Sequence, residues 1–157
     1  MRLLLILPFL ILWSNLVQAI AIGPVLSSVR MLNIEPTTGY GIRLDAEVIP
    51  IGGDFLYWAT RYEVPGGKMA LANRQFKAWA HFPIIPFFYL GGAASMNRLT
   101  TEGVDSNDKI AETTYSLVGV HGVVGTEFSF GAKIFAEIDF GYIPGWSTLL
   151  LQIGVLF

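Results

Sequence analysis

Cysteine is absent from this 157-residue chain, and charge is scarce. Without a thiol there is no disulfide framework, no thiolate metal cluster and no cysteine nucleophile. Only 14% of the residues are charged while 53% are hydrophobic, whereas a soluble domain usually carries about 25% charged side chains. That leaves too little charge to keep a whole surface wet. Basic residues do not outnumber acidic ones (10 against 12), so nothing favours a nucleic-acid partner. There is no short internal repeat and no low-complexity tract. A continuous membrane helix is missing too. Ala78 to Met96 is free of formal charge, but Pro83, Pro86 and the Gly91-Gly92 pair interrupt it, and such residues break or weaken helices.

What is present begins with Arg2, an unbroken apolar run from Leu3 to Trp13, and Val17 and Ala19, two apart, as the small residues before a cut after Ala19. This is the pattern of a secretory signal peptide. The expected organisation is a signal peptide over residues 1–19 and a single domain over 20–157, exported and mildly acidic. An uncleaved anchor helix running to Ile22 is the rival, and Pro8, Asn15 and Gln18 disfavour it.

Beyond residue 19 the hydrophobic period is two, the period of a strand. Tyr40 to Val48 sets Tyr40, Ile42, Leu44, Ala46 and Val48 against Gly41, Arg43, Asp45 and Glu47. Lys133 to Tyr142 sets Ile134, Ala136, Ile138, Phe140 and Tyr142 against Lys133, Phe135, Glu137, Asp139 and Gly141. A helix would scatter these charges around its circumference; a strand collects them in one row. Phe55 to Val64 alternates as well, with Phe55, Tyr57, Ala59, Arg61 and Glu63 assigned to the charged row. Ala70 to Phe82 places Gln75, Lys77, Trp79 and His81 together, and Glu112 to Phe128 places Gly119, His121 and Gly125 together. Ile85 to Met96 is apolar on both faces. Val25 to Ile34 has no clear register, and Arg30 falls on either face.

The breaks fall at Glu35–Gly39, Pro50–Asp54, Pro65–Lys68, Pro83–Pro86, Asn97–Lys109, Ser129–Ala132 and Ile143–Ser147, most of them rich in turn-forming residues. Seven connections make eight strands. An even number puts both termini on one side, and the longest break, the fifth, then falls on the other. Short turns on the periplasmic side and longer connections outside are the habit of bacterial transmembrane barrels. Tyr40, Trp58, Tyr62, Phe82, Phe87, Tyr89, Phe128, Tyr142, Trp146 and Phe157 lie near segment ends, as interfacial girdles require.

The last segment, Ser147 to Phe157, aligns Leu149, Leu151, Ile153, Val155 and Phe157 on one face and Leu150, Gln152, Gly154 and Leu156 on the other. With this strand, the signal peptide and the charged rows, the chain resembles the small eight-stranded outer-membrane β-barrel proteins of Gram-negative bacteria. The resemblance covers roughly residues 24–157 and is one of pattern. It implies an all-β, antiparallel, up-and-down transmembrane barrel in the outer membrane. It implies contact with outer-membrane lipid and lipopolysaccharide, a monomeric state, and insertion by the barrel-assembly machinery. The outward row ending on Phe157 would be the insertion signal.

An eight-stranded barrel encloses room for side chains or one small ligand. The inward charges, Arg43, Asp45, Glu47, Arg61, Glu63, Lys77, Glu137 and Asp139, must therefore pair with one another, because an unpaired buried charge is very costly. The expected function is a structural, membrane-integrity or surface-interaction role with a plugged lumen. The alternatives are a conduit for small solutes or hydrophobic compounds, and a lipid-modifying enzyme. A soluble lipocalin-like barrel, with its apolar face inside, is the further rival. No catalytic set is evident around His81 or His121, so no enzymatic activity, cofactor or metal is expected. Asp105 and Asp108 suit a solvated acidic loop better than a calcium site.

Overall fold

The computed structural model describes residues 20–31, 34–46, 49–64, 67–104 and 110–157. The segment expected to be a signal peptide, residues 1–19, lies outside them, as do Glu47, Asp105 and Asp108. Eight antiparallel strands follow in chain order: β1 (Ile20–Met31), β2 (Ile34–Ala46), β3 (Ile51–Val64), β4 (Gly67–Ile85), β5 (Phe88–Val104), β6 (Ile110–Ser129), β7 (Lys133–Ile143) and β8 (Trp146–Leu156). Each pairs with its sequence neighbour, and β1 pairs with β8, so the sheet closes on itself and leaves no edge. Phe157 completes this seam: its N–H donates to the Ile22 carbonyl and its carbonyl accepts from the Ile22 N–H, both at 3.1 Å.

Most strands extend beyond the bounds read from sequence, although β5 starts at Phe88 rather than Ile85 and Ile34 opens β2 rather than closing β1. β1 begins at Ile20 rather than Val25, β2 absorbs Glu35–Gly39, β3 absorbs Ile51–Asp54, and β4 continues through Pro83 with a register shift there. The expected long loop from Asn97 is strand as far as Val104. Turn-forming residues sit inside strands here because cross-strand pairing, not local preference, decides the backbone.

Strand parity separates two surfaces. Outward lie Ile22, Leu26, Tyr40, Ile42, Leu44, Phe55, Phe76, Phe82, Leu90, Met96, Val118, Val120, Ile138, Phe140, Leu151 and Ile153, each exposed. Inward lie Arg43, Asp45, Asp54, Asn73, Gln75, Lys77, Ser95, Asn97, His121, Glu137, Asp139 and Gln152, all buried. A polar inside and an apolar outside overturn the lipocalin-like alternative. Six of the ten expected girdle aromatics face out. Trp58 and Tyr89 instead fill the lumen, while Tyr62 and Trp146 are half-buried beside it.

The lumen is filled by a repeated pairing. Trp58 stands opposite Gly39, Trp79 opposite Gly52, His81 opposite Gly91, Tyr89 opposite Gly125, His121 opposite Gly141 and Phe135 opposite Gly154. In the last five of these pairs the inward ring lies across the neighbouring strand where a Cβ would stand, and at Gly39 a Cβ would meet the Ser27 hydroxyl. At Gly154 an added Cβ would come within 2.7 Å of the Pro24 carbonyl as well as striking the Phe135 ring. Large rings and missing side chains alternate because the taper of a small barrel demands it.

The barrel is also lopsided. β1, β7 and β8 have 12, 11 and 11 residues; at about 3.3 Å per residue and a tilt near 45° they span about 25 Å, the height of an apolar membrane band. β4, β5 and β6 have 19, 17 and 20 residues. Their excess stands beyond the band on the side away from the termini. There every described β6 residue from Ala111 to Ser116 is exposed, whichever face it occupies.

Candidate functional site: the lumen

Arg43 on β2 points inward because its row alternates with Ile42 and Leu44, which face out. Its guanidinium is bidentate twice over. Nε and Nη2 donate to Asp54 at 2.7 and 2.9 Å, and Nη1 and Nη2 donate to Glu137 at 2.6 and 2.5 Å. The Phe135 ring lies 3.9 Å from the guanidinium carbon. Lys77 on β4 uses all three of its donors: Asp139 and Gln152 accept at 2.7 Å each, and Asp54 lies at 3.0 Å. Trp79 Nε1 donates to Asp54 at 3.1 Å, and the Tyr89 hydroxyl donates to Glu137 at 2.6 Å. Strands β2, β3, β4, β5, β7 and β8 are thus tied across the lumen through one network.

Toward the rim that holds the termini, Lys133 bonds Asp45 at 2.8 Å and approaches Glu127 at 3.4 Å. A cavity of about 610 Å³ opens beside them and ends on Trp79, His81 and Tyr89. These three rings are stacked at centroid distances of 4.0 and 4.2 Å. Beyond the charges, toward the opposite rim, Met31, Trp58, Leu71, Leu99 and Ile143 form an apolar stopper. Solvent therefore meets a ring stack from one end and a hydrocarbon plug from the other.

Of the eight charges assigned inward from sequence, the structure joins Arg43, Lys77, Glu137 and Asp139 in the central network and places Asp45 with Lys133. Arg61 and Glu63 are not in the lumen but exposed on the outer face. The register explains the correction: Arg43 stands opposite Asp54, so even-numbered β3 residues, including Leu56 and Trp58, point inward. Two large apolar groups had looked like the lipid-facing row. Asp54 was missed because it was read as part of a turn. Arg30 is likewise exposed and outward. Phe135 and Leu150 enter the lumen as expected, but Phe55 faces out and Tyr57 is only half-buried.

A second group was not assembled from the sequence, although His121 and Asp139 were each assigned to an inward row. His121 lies 2.7 Å from Ser95 through Nε2 and 2.7 Å from Asp139 through Nδ1, and Asn97 Nδ2 donates to Ser95 Oγ at 2.8 Å. A carboxylate only accepts, so Nδ1 carries a proton and the Ser95 hydroxyl donates to Nε2, an assignment that satisfies each group. The connectivity is that of a nucleophilic triad. Its surroundings are not: Ser95 and Asp139 are buried, and Lys77 holds Asp139 from the other side. The only sequence signal was register, which would have placed Ser95, His121 and Asp139 on three successive strands.

No protein-family model and no curated protein sequence matches the chain. Solved structures do. Ail, the attachment invasion locus protein of Yersinia pestis, aligns over 87% of this chain and 94% of its own, with a TM-score of 0.57 and 12% identity. Neisserial surface protein A aligns over 87% and 94%, with 0.57 and 15% identity. The N-terminal β-barrel domain of Pseudomonas aeruginosa OprF aligns over 87% and 97%, with 0.60 and 13% identity. At such identities the likeness is one of fold. The fold is that of the small eight-stranded outer-membrane barrels.

Proposed function

We propose that the chain is an integral outer-membrane protein whose sealed barrel serves membrane integrity and surface interaction, rather than a pore or an enzyme. The observation that carries this reading is the pairing of a closed, apolar-clad sheet with a lumen filled by interlocked ions. Such an exterior is stable only in hydrocarbon, and closed barrels are one of two ways a backbone can cross it. The outward row of Leu149, Leu151, Ile153, Val155 and Phe157 supports recognition by the barrel-assembly machinery, and residues 1–19 would be the export signal that brings the chain to it. With the termini periplasmic, the tall β4–β6 wall stands outside the cell and offers strand rather than loop as its contact surface. Lipid and lipopolysaccharide are the surrounding partners, and the apolar belt needs no second copy to cover it.

Enzymatic action is disfavoured on physical grounds. Ser95 has the partners of a nucleophile, but acyl transfer needs space for a carbonyl about 3 Å from the hydroxyl and from an oxyanion donor. Here the hydroxyl is buried and already held between His121 and Asn97. The group reads better as the polar extension of the ion network.

The test is gel mobility of an outer-membrane preparation with and without boiling. A closed barrel resists detergent, so the unheated protein should run as a compact band and shift on heating. Release by osmotic shock without detergent, together with a single heat-independent band, would overturn the reading.

A further inference from the structure

Two arginines occupy an unexpected place on the outer wall. Arg74 on β4 and Arg98 on β5 are directly opposed in register, and both are exposed on the lipid-facing side. Like charges directly opposite each other in an antiparallel pair destabilise it. Neither has a carboxylate within 4 Å among the described residues. The outward carboxylate nearest along β5, Glu102, is four residues farther from the band and itself opposes Glu112.

Their depth is defined by the chain. Between Ile84 and Arg74 on β4, and between Phe88 and Arg98 on β5, the outward row is uncharged for ten residues. At about 3.3 Å per residue and a tilt near 45° this is about 23 Å of height, close to the apolar band of an outer-membrane barrel. The two guanidinium groups therefore sit at the headgroup level, on the side away from the termini.

The wall below them is indented. Ala78 opposes Ala94 and Ala80 opposes Gly92, and these four line a shallow groove of about 400 Å³. A Cβ on Gly92 would come no closer than 3.9 Å to any neighbour, so packing of the barrel does not require a glycine there.

We propose that Arg74 and Arg98 bind a phosphate of lipid A in the outer leaflet, with one of its acyl chains lying in the groove beneath. Guanidinium forks match phosphate oxygens in bidentate fashion, and an anion shared by the two turns their repulsion into attraction. The groove supplies the second half of the recognition, because a phosphate tethered to hydrocarbon satisfies both features and free phosphate satisfies one.

The inference rests on the outer-membrane reading above. The experiment is native mass spectrometry of protein taken into detergent from bilayers containing bis-phosphorylated lipid A, monophosphoryl lipid A, phosphatidylglycerol or phosphatidylcholine. Wild type should retain bis-phosphorylated lipid A at least tenfold more than the Arg74→Gln/Arg98→Gln double variant does, and more than it retains phosphatidylglycerol or phosphatidylcholine. Gly92→Leu, which fills the groove with the arginines intact, should also lose most of the retained lipid. Equal retention by wild type and the double variant would overturn the proposal, as would phosphatidylglycerol held as well as lipid A. Heat-shifted mobility of every variant separates the outcomes: a protein that never shifts has failed the barrel reading, whereas one that shifts without selecting lipid A has failed only this inference.

Discussion

Lys77 lies wholly enclosed, with its ammonium between Asp54, Asp139 and the Gln152 amide oxygen. The hydrophobic effect cannot explain such a residue; its stability comes from partners that leave no donor unused. Removing one member of a buried ion network is costlier than never having built it, because the charges left behind remain desolvated. Lys77→Met, similar in volume, should therefore lower the unfolding free energy by about 3–5 kcal/mol, read as a shift in the urea midpoint of heat-modifiable mobility. Adding Asp139→Asn to that variant should restore part of the loss by removing one stranded carboxylate. Equal midpoints for wild type and Lys77→Met would mean that the network is not dry. Phe87 is a different kind of residue. Its φ is +80° in the turn after Pro86, a conformation that normally selects glycine. The ring stacks on Phe128 at 5.1 Å and the Phe87 carbonyl accepts from Glu127 N–H at 2.9 Å. The strain is offset by anchoring the β4–β5 turn to β6 at the rim.

At the scale of the strand, glycine opposite ring is the device that lets eight strands close around bulky side chains. The seam shows it most plainly, where Gly154 lies beneath Phe135 and against β1. Gly154→Leu should leave little folded barrel, measured as the heat-shifted fraction after refolding into detergent, whereas Gly122→Leu on the outer wall, where a Cβ meets nothing within 4 Å, should fold as wild type does. Deleting Phe157 removes both hydrogen bonds to Ile22 and should reduce assembled protein more than any change in a turn; wild-type levels of assembly would contradict that role. Much of this level was legible in advance. Period-two alternation located all eight strands, their order and the inward rows of β2, β4, β6, β7 and β8. β3 was misread because Leu56 and Trp58 are as apolar as a lipid-facing row. Parity there is set by Arg43 opposite Asp54, a long-range fact that no window of β3 contains. The Ser95–His121–Asp139 chain was invisible for the same reason, since it joins three strands by register alone.

For the molecule as a whole, the lumen is both blocked and unbalanced. Among the described residues, and leaving the two histidines aside, three inward cations (Arg43, Lys77, Lys133) face five carboxylates (Asp45, Asp54, Glu127, Glu137, Asp139), so any path that opens should favour cations. The block itself has three parts in series: the Trp79–His81–Tyr89 stack, the ion network and the apolar stopper around Trp58. The sequence anticipated a plug of charge alone. The aromatic and aliphatic parts were hidden because they come from residues that equally suit a lipid-facing wall. The most direct measurement is single-channel recording of purified, heat-modifiable protein in planar bilayers. A sealed lumen gives a flat baseline with at most brief, small, cation-selective openings. Large, stable conductance steps from the folded protein would contradict the sealed barrel.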